Sequence, residues 1–148
     1  MHKRWTLLLV AGVVLVLLVV YPWIGCSVDR NQVQVSLIRP WVVTRLDGSA
    51  VGFVLNVTNY SGCDLHLTAV SVTVHSATYR DGSMDVFEFT QTQDVSTVIS
   101  GGHAEQVDYT FDNLFPLSPA KLALRVEISF RETGAIVVFD GEIEIPSR

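Results

Sequence analysis

With 148 residues, the chain has room for one globular core and a short appendage, because domains commonly hold roughly 100 to 150 residues. Hydrophobic residues make up 49% and charged residues 17%, and the mean hydropathy is +0.37, which excludes a disordered chain and is high for a freely soluble one. The formal charge is −5; Lys3, Arg4, Asp29 and Arg30 all fall early, so residues 31–148 carry seven basic and fourteen acidic side chains, a net −7. That balance argues against nucleic acid and an anionic lipid surface as partners of this stretch, since both select basic patches.

The apolar excess sits at the start. Trp5 to Ile24 are twenty residues without a charge. A helix of about 20 residues crosses a hydrocarbon core of roughly 30 Å. Residues 1–26 are therefore expected to form an N-terminal membrane anchor spanning the bilayer over residues 5–24. Lys3 and Arg4 favour a cytoplasmic N-terminus, and Tyr21 and Trp23 suit the opposite interface. A basic start, an apolar run and Ile24-Gly25-Cys26-Ser27 also resemble a bacterial lipobox, in which Cys26 would be lipidated, although Trp23 stands where an aliphatic residue is usual. Retained single-pass helix and lipid anchor both place the rest of the chain outside the cytoplasm. Residues 27–32 read as a short linker and 33–146 as one domain.

Period-2 alternation between turn signals predicts strands throughout that domain. Val33, Val35 and Leu37 alternate before Pro40 interrupts, so the first strand is expected broken and at a sheet edge, where a missing amide donor is tolerated. Asp47-Gly48 marks a turn, and Val51, Phe53, Leu55 and Val57 share one face of the second strand. The third is expected from Leu65 to about His75, with a bulge where the apolar set changes phase between Leu67 and Val70. After Asp81-Gly82 come a strand holding Phe87 and Phe89 and ending near Thr92, and a separate short piece from Val95 to Ile99. Val107, Tyr109 and Phe111 mark the next strand. Leu122 to Phe130 is the clearest strand, joined at Thr133-Gly134 to a last one from Ala135 to Ile145. The fold class is all-β: a two-sheet antiparallel immunoglobulin- or fibronectin-like sandwich of seven or eight strands behind one transmembrane helix.

Gly52-Phe53-Val54-Leu55-Asn56-Val57-Thr58-Asn59, an apolar strand ending in an Asn-containing polar turn, resembles the water-stress domain of the late-embryogenesis-abundant type 2 family. Val98 to Gly102 leading into Val107 to Phe111, and the closing hairpin Arg125 to Ile145, are similar to it as well. Tyr60 stands where that family has Pro after Asn. The resemblance implies a fibronectin-like sandwich and a stress-related role in binding apolar ligands or lipids, and it brings no catalytic residues.

Cys26 and Cys63 are the two cysteines, and both fall outside the cytoplasm, where disulfides persist. If the second strand returns toward the membrane, its turn lies level with Cys26, and a Cys26–Cys63 bridge is one outcome; lipidated Cys26 with unpaired Cys63 and two unpaired thiols are the others. Asn56 and Asn59 each open an Asn-x-Ser/Thr triplet that fits glycosylation. His66, His75 and His103 are too scattered for a zinc set, and Asp81 and Asp85 lack the further ligands of a calcium loop. Asp108 with Asp112, and Glu142 with Glu144, read as solvated strand faces rather than acid–base pairs. No nucleophile elbow, phosphate loop or Cys-x-x-Cys pair is present, so no cofactor, metal or catalytic residue is expected. The function expected is a non-enzymatic, membrane-tethered binding or scaffold module that meets another surface or membrane protein. The type 2 stress domain is the alternative, and a hydrolase or metal enzyme a remote third.

Overall fold

A computed structural model describes residues 26–147; the anchor expected over residues 5–24 lies outside the described residues. One 3-10 turn, Arg30–Gln32, precedes seven strands: β1 (Val33–Arg45), β2 (Gly48–Asn59), β3 (Leu65–Tyr79), β4 (Met84–Ile99), β5 (Ala104–Phe115), β6 (Pro119–Phe130) and β7 (Gly134–Glu144). They form two antiparallel sheets, one ordered β1-β2-β5 and the other β4-β3-β6-β7.

Alternation fixes which faces meet. Val51, Phe53, Leu55 and Val57 of β2 and Leu122, Leu124, Val126 and Ile128 of β6 are all fully buried, each removing apolar surface worth about 1.5–3 kcal/mol. Between the sheets the rings of Phe53 and Tyr109 stack at 5.3 Å, Tyr109 meets Phe111 edge-on at 5.1 Å, and Phe111 meets Phe115 edge-on at 6.3 Å. Such pairs add about 0.5–1.5 kcal/mol beyond their burial. The Tyr109 hydroxyl crosses the layer to donate to Gln91 O at 2.7 Å, and burial raises the pKa of this phenol.

The bulges explain where alternation and structure part. β3 shifts register between Leu67 and Ala69, where the phase change predicted it, and again between Val74 and Ser76, which carries the strand on to Tyr79 rather than ending it near His75. β4 is one strand and not two pieces, because a bulge opposite Leu67 and Ala69 absorbs the extra residue between Asp94 and Thr97 without breaking the pairing. β1 is likewise continuous and lies at a sheet edge; its register shifts between Ile38 and Trp41, where Arg39 takes φ 48° beside Pro40.

Residues 27–32 are fastened to the domain. Val28 is buried in the core, Asp29 Oδ1 accepts from Asn31 N at 2.9 Å, and Tyr60 N donates to Gln32 O at 2.8 Å.

Past the β1 bulge, Trp41 pairs across to Gly52, and its indole lies over that glycine. A Cβ at position 52 would fall 2.3 Å from the indole Cζ2 and 2.6 Å from Tyr109 O, so the ring is seated only because no side chain stands there. Gly52→Ala is expected to destabilise the domain by about 2 kcal/mol or more, as overpacking does. Trp41→Ala in the same chain should recover part of that loss in a chemical-denaturation series, while Tyr109 O keeps the recovery incomplete.

Candidate functional site

Antiparallel strands give the sandwich two ends. One end gathers the start of β1, the β2–β3 turn, the β4–β5 turn and the β6–β7 hairpin; the other gathers the β1–β2 and β3–β4 turns and the β5–β6 loop.

The first end is held by Asn59. Its Nδ2 donates to Cys63 O at 2.7 Å and to Ile99 O at 2.9 Å, while Oδ1 accepts from Ser61 N at 3.0 Å and Ser61 Oγ at 2.6 Å. The backbone amide of Asn59 also donates to His103 O, and Gly102 N donates to Asn59 O, both at 2.9 Å. This fixes the turn that presents Cys63, which is disulfide-bonded to Cys26 with Cα atoms 5.9 Å apart. A sulfur in that bond has no thiol left to carry a lipid thioether, so bridge and lipidation exclude each other on Cys26. Asn59 does not fit the glycosylation expected of it: it is fully buried and its side-chain nitrogen is committed twice over. Asn56 lies half-buried in the central strand of its sheet, between Ser36 and Gln106.

The same end carries a pair that sequence spacing does not announce. His66 Nδ1 meets Glu132 Oε1, and the His66 amide donates to Glu132 Oε2 at 2.9 Å, tying the start of β3 to the β6–β7 hairpin. Burial alone would raise the Glu132 pKa, but the His66 backbone and ring bonds outweigh it and hold the carboxyl below its usual 4.5.

The other predicted polar residues scatter. His75 is exposed on β3, and the His103 ring bonds Gly101 O at 3.0 Å. Asp81 accepts from Ser83 within its turn, which lowers its pKa. Asp85 instead accepts from Tyr79 Oη at 2.9 Å; burial first, then this bond and the Asp85 charge, push the Tyr79 phenol up to about 12. Asp112 faces Arg45 at 3.7 Å, and Glu144 faces Lys121 at 3.5 Å, both on the surface. Among the described residues, no three His, Cys, Asp or Glu side chains come together as a metal set.

At the far end the surface turns apolar. Val43, Leu46, Met84, Val86 and Leu117 are all exposed there, from three separate connections. Val86, Phe87, Phe89 and Pro116 line one cleft of about 430 Å³ together with the acids Asp85 and Glu88, and Val43, Arg80 and Ser118 line another of about 360 Å³, so the loop carrying Leu117 joins the two. Alternation along single strands could not reveal this patch, because the turns that build it are far apart in sequence.

No protein-family model and no curated protein matches this sequence. Solved structures do. The X-ray structure of a structural-genomics target superposes with a TM-score of 0.50 at 8% identity, over 79% of this chain and 88% of its own. The solution structure of a candidate late-embryogenesis-abundant protein gives a TM-score of 0.50 at 14% identity, over 78% of this chain and 72% of its own. A sporulation control protein of Bacillus subtilis gives 0.46 at 15% identity, over 84% of this chain and 51% of its own. For the two at 0.50 the likeness is one of β-rich fold.

Two measurements probe the bridged end. Cys63→Ser, or reduction of the wild type, should lower stability by about 4 kcal/mol on the chain-entropy model, read as a drop in the denaturation midpoint. Because the Glu132 pKa is lowered by folding, its contribution is present above 4.5 and fades as pH falls through the folded value. The stability gap between wild type and Glu132→Gln should therefore shrink when denaturation at pH 7 is repeated at about pH 3.

Proposed function

We propose that this chain is a membrane-tethered, extracytoplasmic binding or scaffold module that acts through protein contacts, with residues 5–24 as its helical anchor and no catalytic residue or cofactor. The observation that carries the reading is the contrast between the two ends. One is tied by Cys26–Cys63 to the residues that follow the apolar segment and exposes Tyr60 and Val98, and the opposite one exposes the larger set Val43, Leu46, Met84, Val86 and Leu117. An end bound next to the anchor and an apolar end turned away from it suit a domain that meets a protein above the bilayer. A disulfide also suits a compartment outside the cytoplasm.

The strand order supports the finer reading of an immunoglobulin- or fibronectin-like sandwich. A three-stranded sheet faces a four-stranded one, and each consecutive pair of strands is either a hairpin or a crossing between the layers. The type 2 late-embryogenesis-abundant reading draws support from the likeness of fold to one candidate late-embryogenesis-abundant protein. Its apolar-ligand version is the less favoured, because Phe53, Tyr109, Phe111 and Phe115 pack against one another in the space between the sheets that a ligand would need.

The full chain, extracted from its own membranes in mild detergent, should carry a second protein through size-exclusion chromatography. In sealed cells lacking any outer barrier, its domain should be accessible to added protease. A monodisperse monomer with nothing bound, or a domain protected until the cells are lysed, would overturn the reading.

A further inference from the structure

Each sheet has two edges, and an edge strand offers unpaired backbone groups to any extended segment unless something blocks it. Three of the four are hindered. β1 carries the Arg39-Pro40 bulge, β5 receives Gln91 Nε2 on Thr110 O at 3.2 Å, and β7 packs beside β1 with Arg30 held on Thr133 O at 3.3 Å. β4 also bulges twice, carries the acids Asp85, Glu88 and Asp94 and meets β5 through Gln91, yet it is the longest of the four edges. It is 16 residues long, contains no Pro, Gly, Lys or Arg, and exposes side chains along nearly its whole length.

The direction of its backbone groups follows from the hairpin. Tyr79, which faces the core, donates its amide to Ser83 O at 2.8 Å, so core-facing residues of β3 aim at β4. His66, on the outer face, instead accepts from Arg131 N at 2.9 Å on the other side. In an antiparallel ladder the residues of β4 that pair with core-facing Val72 and Val74, namely Gln91 and Phe89, then aim back at β3. Thr90 and Thr92 turn their N–H and C=O to the open side.

We infer that the free edge of β4 is where the protein partner binds, adding an extended, basic segment as a fifth strand of this sheet. This rests on the tethered-module reading. Charge selects the occupant: β4 presents Asp85, Glu88 and Asp94 with no basic residue, so the complementary strand carries Lys or Arg beside apolar residues that cover Val86 and Phe89. A second copy is excluded on two grounds. Copies tethered by the same end in one membrane run their β4 strands in the same direction, which forbids antiparallel pairing, and self-pairing would set acid against acid.

The experiment uses the full chain with the protein it carries in mild detergent. Thr92→Pro removes an amide on the open side and leaves the β3 ladder intact, with Thr92→Ala as its side-chain control; Glu88→Lys with Asp94→Lys reverses the charge without touching the backbone. Partner retention should fall at least tenfold with Thr92→Pro and with the double charge reversal but not with Thr92→Ala, and hydrogen exchange at Thr90 and Thr92 should slow in the wild-type complex. Retention within twofold in both the Pro and the charge variants, or a partner that proves to be a second copy of the chain, overturns the inference while the module reading stands. A wild type that retains no partner overturns that reading and the inference with it.

Discussion

Asn59 gives both amide hydrogens to carbonyls in different parts of the chain, Cys63 O in its own turn, which Ser61 Oγ also reaches at 3.1 Å, and Ile99 O at the end of β4. A buried carbonyl without a partner costs about 1–3 kcal/mol. The side chain therefore links the two sheets at one end, and Tyr109 to Gln91 links them midway. Once the β2–β3 turn is fixed, Cys63 has one position, and Cys26 is held to it. From that follow the packing of Val28, the seat of the 3-10 turn and the division of the sandwich into a bound end and a free one.

Much of this architecture was legible in the residues. β2 and β6 are central strands with a complete row of aliphatic and aromatic side chains on one face, so their alternation survives any local disturbance. β4 is an edge strand with a bulge, and its inward side chains include Gln91, which serves Thr110 O rather than the core; its pattern therefore read as two fragments. The end of β3 was hidden for a related reason, since the shift at Val74 to Ser76 moves the buried set from even to odd positions.

The polar features were less legible, because a side chain's neighbours decide its role. The triplet beginning at Asn59 looks like a glycan acceptor only while the residue is imagined in solvent. His66 and Glu132 stand 66 residues apart, and only the pairing of β3 with β6 brings them together. The far-end apolar patch is likewise assembled from three turns, each unremarkable by itself. The two cysteines were readable as a candidate pair, but the residue that holds their turn in place was not recognised.

The bridge also decides how the domain bears load. Tension arriving along the chain at residue 26 does not have to pass through the first residues of β1, which sit at a sheet edge and could be unzipped one hydrogen-bonded pair at a time. The disulfide diverts it to Cys63, between β2 and β3, the central strand of one sheet and an interior strand of the other. Pulled from there, both sheets are loaded along several strands at once, so rupture requires many bonds to shear together. Cleaving one sulfur–sulfur bond would turn a shear-resistant mount into a peelable one.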